Sequence, residues 1–259
     1  MSSTRKVLIN LIQTQLDTQP PEEAFLTDLK AVVIAENSEI RRSPYYKPSS
    51  LGCQRVMYFD RLQAKVDTQV SDYSGVRICQ TGSDSHERIQ YFVSKMKEYG
   101  KDCEYIDVET YVKEHNLDYI VVKGKKGFET KLFDTRYNIS FLCDGIIRYK
   151  GVYYILEIKT ETDSKGMNRT EAAPEHKYQS VSYSLSLGIN RIMWLYEERN
   201  FCVPKTFVTK ITDKDKQDLI YRFEFVDQCV RDLTPPPKCD NRKTCTYCCY
   251  KTACKEAGR

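Results

Sequence analysis

Residues 140–161 read SFLCDGIIRYKGVYYILEIKTE. Asp144 stands early in this stretch, and Glu157 and Lys159 stand near its end among Ile155, Leu156 and Ile158. The apolar residues suit a buried two-stranded hairpin that turns at Lys150-Gly151. Side chains two apart on a strand share a face, so Glu157 and Lys159 project together while Leu156 and Ile158 face the other way. A same-face ion pair would account for those two alone. Asp144 on the adjoining antiparallel strand adds a second carboxylate, and the two could meet at one end of a sheet. Hard cations such as Mg²⁺ take oxygen ligands of this kind. An ammonium beside the metal would orient a water, help deprotonate it and offset the charge of a phosphate.

A second set of reactive residues closes the chain. The tail KCDNRKTCTYCCYKTACKEAGR carries five of the 11 cysteines, between Cys239 and Cys254. The N-terminal stretch MSSTRKVLINLIQTQLDTQ has no uninterrupted apolar core and is read as a helix, not a signal peptide. The chain is therefore expected in a reducing, cytoplasmic compartment, where clustered cysteines suggest metal ligation before disulfides. Cys245-x2-Cys248-x5-Cys254 supplies three thiolates, and a tetrahedral site or a cluster needs a fourth. Cys239 is local and would complete a small zinc knot. Cys53 is distant in sequence but is expected in the first turn of a helix, where backbone N–H groups favour a thiolate. Cys249 is left as a spare thiol. Cys79, Cys103, Cys143, Cys202 and Cys229 fall in apolar or mixed segments and are read as structural.

Elements must position both sets. Val7, Leu8, Leu11, Ile12 and Leu16 have helical spacing over 5–16, and residues 22–37 read as a second helix after Pro20-Pro21. Pro44 and Pro48 hold the next segment extended, and Ser49 or Ser50 can cap a helix from about Leu51. A helix is expected over 84–98 with Ile89, Phe92, Val93 and Met96 on one stripe. Residues 104–161 read mostly as strands, with turns near Gly124–Gly127 and at Lys150-Gly151. Helix returns over 175–187, and 191–197 reads as a strand. A long amphipathic helix spans 213–233 through Leu219, Phe223, Val226, Val230 and Leu233, and Pro235-Pro236-Pro237 ends it.

The order of these residues resembles the PD-(D/E)XK nuclease superfamily. Asp144, twelve residues, then Glu157-Ile158-Lys159 is similar to the D-x(n)-E-x-K signature. Gln179-x-x-x-Tyr183 looks like the Q-x-x-x-Y motif of the RecB-like branch, and Gly82-x-x-x-His86 resembles its upstream histidine motif. The likeness covers about residues 48–200. Where many RecB-like members carry Asp-Tyr-Lys, this chain has Glu-Ile-Lys, and glutamate is the accepted alternative. The resemblance implies that His86, Asp144, Glu157 and the Ile158 carbonyl hold Mg²⁺ or Mn²⁺. It implies that Lys159 positions the attacking water and that Gln179 and Tyr183 hold the site and contact the DNA strand. Iron–sulfur members of the branch, AddB-type and CRISPR-adaptation nucleases among them, place one cysteine before the nuclease motifs and three after. Cys53, Cys245, Cys248 and Cys254 resemble that pattern, which implies a structural 4Fe–4S cluster. Structural Zn²⁺ through Cys239 is the alternative.

Composition agrees with such a reading without requiring it. The 259 residues are 41% hydrophobic and 29% charged, with a net charge of +4, ordinary for a globular protein and compatible with nucleic acid. No apolar run is long enough to span a bilayer, so no membrane partner is expected. The expectation is an α/β fold: a mixed central sheet flanked by helices over 48–234, an N-terminal helical extension over 1–47, and a cluster-binding tail over 235–259 packed on the core. The expected function is a metal-dependent DNA exonuclease of phage or bacterial recombination and repair, acting on linear or single-stranded ends. That leaves room for a helicase, annealing or recombination protein as a partner. A CRISPR-adaptation nuclease is weighed down by the extra N-terminal helices and the length. A non-catalytic cluster-bearing DNA-binding subunit is weighed down by the intact His86, Asp144, Glu157 and Lys159 set.

Overall fold

The computed structural model describes residues 20–37, 43–67, 72–162, 168–239, 245–246 and 248–258. The helix expected over 5–16 lies outside them. The chain forms two compact units, one of residues 1–41 and 69–81 and one of residues 42–68 and 82–259. In the first, α1 is Pro21–Glu36, with Pro21 at the position where a missing N–H costs nothing. No helix among the described residues is long and apolar enough to cross a membrane.

The second unit is built on a mixed sheet of five strands in the order β1-β5-β6-β7-β8. The strands are β1 (Cys103–Ile106), β5 (Gly145–Tyr149), β6 (Val152–Glu161), β7 (Arg191–Glu198) and β8 (Pro204–Lys210). All neighbours pair antiparallel except β6 and β7, which run parallel. A parallel pair needs a crossover, and helix α5 (Lys177–Leu187) supplies it. A separate antiparallel sheet, β2-β3-β4, is formed by Ile120–Lys126, Glu129–Asp134 and Ile139–Cys143.

Both faces of the five-stranded sheet are covered. Leu156 and Ile158 of β6 pack with Cys103 and Ile147 beneath Ile89 and Val93 of helix α3 (Tyr73–Lys95) and Met96 just after it. Ile155, Ile192, Trp194 and Tyr196 belong to the larger core, with Val181 and Leu187 of α5 and Leu219, Phe223 and Val226 of helix α6 (Asp213–Arg231). α6 starts at a reciprocal cap, Thr212 and Asp215 each bonding the other's backbone amide.

Several elements depart from the sequence expectation. α3 begins at Tyr73, not near residue 84, because the Asp72 carboxylate accepts the Gly75 amide at 2.6 Å and caps an earlier turn. Within the supposed strands, Val108–Glu114 is a helix, α4, capped by Asp107 through Thr110 N. Its Val108, Thr110, Tyr111 and Val112 favour strands, and the cap overrides them. Of the cysteines read as structural, Cys79 and Cys202 are exposed, and Cys103, Cys143 and Cys229 are buried.

Candidate functional site

Two strand registers converge on Asp144. Antiparallel β3–β4 pairing matches Thr130 with Cys143, so one further step sets Glu129 opposite Asp144. Antiparallel β5–β6 pairing matches Gly145 with Leu156, so one step back sets Glu157 opposite Asp144. Asp144 therefore stands at the joint between the two sheets, not within a strand, and it lies between two other carboxylates. Its main chain is clamped there: its carbonyl accepts Gln90 Nε2 at 2.8 Å and the Tyr105 hydroxyl at 2.7 Å. Gly145 is required beside it, since a Cβ there would come within 2.6 Å of Tyr105. The carboxylate is fixed as well, for Asp144 Oδ2 accepts the Ile158 amide at 2.8 Å.

His86 and Glu129 complete a cluster. His86, on α3, places Nδ1 3.5 Å from Asp144 Oδ1. His86, Glu129 and Asp144 each offer a ligand atom, and those atoms lie within 4.8 Å of one another. Glu157 stands just outside that group of three. Its Oε1 accepts Lys159 Nζ and Gln179 Nε2, both at 2.6 Å, while Oε2 is buried with no hydrogen-bond partner among the described residues. Ile158 is fully buried and faces the opposite core.

Gln179 and Tyr183 stand one turn apart on α5, and Gln179 Nε2 also donates to the Tyr183 hydroxyl at 2.8 Å. Tyr183 is only 4% exposed and packs on Phe141. The ring is part of the core, and its hydroxyl accepts from Gln179. Glu129 was not anticipated. Its nearest sequence signal is the turn at Gly124–Gly127, which leads from β2 into β3 but does not reveal the β3–β4 register.

Electrostatics follow from burial and crowding. Burial, and then the charge of Asp144, push Glu157 up to about 7, with Lys159 opposing. Burial and Asp144 likewise raise Glu129. Burial pulls His86 down, but the hydrogen bond and charge of Asp144 outweigh it and leave the imidazole above its ordinary value. Crowded carboxylates that resist ionising together are what a divalent cation would relieve.

The tail cysteines gather elsewhere in the same unit. Cys53, Cys239, Cys245, Cys248 and Cys254 all line one cavity of about 80 Å³, with Arg55, Val56, Phe59, Lys238 and Tyr250. Cys53 is at the N-cap of α2 (Gln54–Arg61), just before the first turn in which it was expected. Burial raises its thiol, with the amides of Val56 and Arg55 pulling the other way. Tyr250 ties the tail down by donating to Asp60 at 2.7 Å and packing on Phe59. Both candidates for a fourth thiolate, Cys53 and Cys239, are thus present at the cavity.

No family model matches the chain, and no curated protein matches it. It is similar to the crystal structure of SSO0001, at 15% identity over 91% of this chain and 97% of that one, with a TM-score of 0.47. It is similar to the crystal structure of LHK-Exo in complex with dAMP, at 12% identity over 80% and 96%, with a TM-score of 0.41. An alkaline exonuclease, LHK-Exo from Laribacter hongkongensis, is similar at 10% identity over 84% and 100%, with a TM-score of 0.39.

Proposed function

We propose that this protein is a divalent-metal-dependent deoxyribonuclease that removes nucleotides from DNA ends. The observation that carries the reading is the convergence at Asp144. His86 of α3, Glu129 of β3 and Asp144 at the joint between the sheets crowd one point, with Glu157 of β6 next to them and a lysine tethered beside it. Such a donor set fits a hard cation, and the partnerless Glu157 Oε2 is an orphaned acceptor of the kind a cation would satisfy. Mg²⁺ or Mn²⁺ held by His86, Glu129, Asp144 and Glu157 would supply Lewis acidity toward a phosphodiester.

The chain's own residues do the rest. The Ile158 amide and the clamped Asp144 backbone keep one carboxylate aimed. Gln179 holds Glu157, and the buried Tyr183 holds Gln179. Lys159 keeps its ammonium on Glu157 until substrate arrives, and then positions the attacking water and offsets phosphate charge.

The tail holds a separate structural centre in this reading. Thiols from both ends of the unit around one small cavity, with a buried guanidinium among them, fit a thiolate-bound metal group. A 4Fe–4S cluster on Cys53, Cys245, Cys248 and Cys254 is favoured over Zn²⁺ with Cys239.

The test is incubation with end-labelled linear DNA and covalently closed circles, with Mg²⁺, Mn²⁺ or chelator. Progressive loss of linear DNA in metal alone, with circles spared, is expected. No metal-dependent cleavage of either substrate overturns the nuclease, and rapid cutting of circles overturns the preference for ends.

A further inference from the structure

Arg55 is the anomaly of the cysteine cavity. Its side chain is 1% exposed, among the largest fully buried side chains of the described residues. A buried guanidinium is costly unless an opposing charge balances it. Yet its partners are carbonyls and a sulfur. Nε donates to Pro236 O at 2.7 Å, and Nη1 donates to Cys254 O at 2.8 Å, Gly258 O at 3.1 Å and Cys254 Sγ at 3.3 Å. Nη2 is buried and has no partner among the described residues. Two carboxylates that also face the tail are engaged elsewhere: Asp60 by Tyr250 and Lys47, and Asp67 by the Thr252 amide. Among the described residues, those sharing the cavity with Arg55 include five cysteines and no carboxylate.

We infer that Arg55 is the counter-charge of an anionic metal–thiolate centre and tunes its stability and redox poise. This rests on the thiolate-bound centre proposed above. A ligating cysteine is deprotonated, and four thiolates outweigh the positive charge of a zinc ion or of an iron–sulfide core. The centre is then a buried anion in contact with a buried cation that otherwise lacks one among the described residues. Through Nη1 the guanidinium reaches the sulfur of Cys254 directly, so it also stabilises that ligand as a thiolate. Hydrogen bonds to ligand sulfurs and nearby charge are the levers by which a protein sets a cluster's potential.

The rival role is mechanical. By bonding Pro236, Cys254 and Gly258, Arg55 could simply staple the tail to α2. Charge and fork geometry can be separated with Arg55→Gln, which removes the charge, and Arg55→Lys, which keeps it without the fork.

The experiment takes the full chain and both variants, purified anaerobically. Iron, sulfide and zinc are quantified, and metal retention is measured by chelator competition. An iron-containing protein is also titrated for its midpoint potential. Iron with sulfide identifies a cluster, and zinc alone identifies a mononuclear site. Arg55→Gln is expected to weaken retention about tenfold or more, the scale of losing an outer-shell partner. For a cluster, its midpoint should move negative, because an electron is harder to add without the neighbouring cation. Arg55→Lys should recover most of both. Equal loss in the two variants, including failure of both to hold metal, means a staple and overturns the inference. So does Arg55→Gln with unchanged retention and midpoint. Wild-type protein with neither iron nor zinc would instead bring down the centre itself, a result read before either variant is compared.

Discussion

The carboxylate site and the cysteine cavity lie in one folding unit and are built in opposite ways. Around Asp144 the groups are fixed by the ladders themselves. The Glu157 and Asp144 positions follow from strand register, and an amide, a lysine and a glutamine already hold their oxygens. Around the cysteines the elements are short helices joined by loops. Cys53 precedes one, Cys254 lies in another over Lys251–Glu256, Cys245 is exposed, and the tail is tied down by side-chain bonds from Tyr250 to Asp60 and from Arg55 to the carbonyls of Pro236, Cys254 and Gly258. A sheet can hold like charges together before a cation arrives, since hydrogen bonds to the carboxylates offset part of their repulsion. Among its described residues the tail buries Pro236 and Tyr250, and such a tail depends on what it binds. The first arrangement therefore suits chemistry and the second suits closure of a long loop.

The sharpest break between the two comes from Asp144→Ala. Metal-dependent cleavage should fall by about a hundredfold or more, the scale of several kcal/mol of lost transition-state stabilisation, with the melting temperature little changed. Cys248→Ser should do the reverse. Its melting temperature should drop by about 10 °C through loss of a ligand-linked stabilisation, with cleavage per folded molecule nearly unchanged. Cleavage kinetics and thermal melts on both variants check this pair. If Cys248→Ser loses activity while staying folded, the two regions are one functional unit.

Next in size is the choice of fourth thiolate. Cys53→Ser should abolish the visible absorbance of anaerobic protein as completely as Cys248→Ser, and Cys239→Ser should keep it. The reverse outcome would make the centre local, with Cys239 as its fourth ligand, whereas wild-type protein that binds metal without any visible absorbance would favour zinc.

A smaller effect should separate the two positioning residues. Gln179→Ala should slow cleavage by about tenfold, as expected of an outer-shell partner, and Tyr183→Phe by only a few-fold, since it removes one neutral hydrogen bond. Equal effects would mean that Tyr183 acts on substrate despite its burial.

The smallest effect is on metal-free stability. Glu157 is raised from 4.5 to about 7, so between those values the folded chain holds more protons than the unfolded one. Stability of the metal-free fold should then decline as pH rises across that window and carry the full penalty above 7. Glu157→Gln should accordingly raise the melting temperature by a few degrees at pH 8 and hardly at pH 5. Saturating Mg²⁺ should abolish its advantage. Melts at the two pH values, with and without metal, provide the check.

Local patterns in the sequence determined a good part of this protein. The two-residue period of β6 put Glu157 and Lys159 on one face, and the helical spacing of Leu219, Phe223 and Val226 produced α6 and its buried stripe. Gln179 and Tyr183, four apart, meet as a helix requires. These outcomes need only neighbours along the chain. Where a short-range signal is ambiguous the structure departs from it. β-Branched and aromatic residues hid α4 behind strand propensity, and Gly82-Ser83 looked like a helix boundary inside α3. Tertiary structure alone decided the rest. Glu129 reaches Asp144 only through the β3–β4 register, and Tyr183 is withdrawn from solvent only because α5 packs on Phe141. Arg55 meets Cys254 across nearly two hundred residues, |i−j| = 199. No periodicity encodes such contacts, because they depend on how whole elements close on one another and on the loop entropy that closure must overcome.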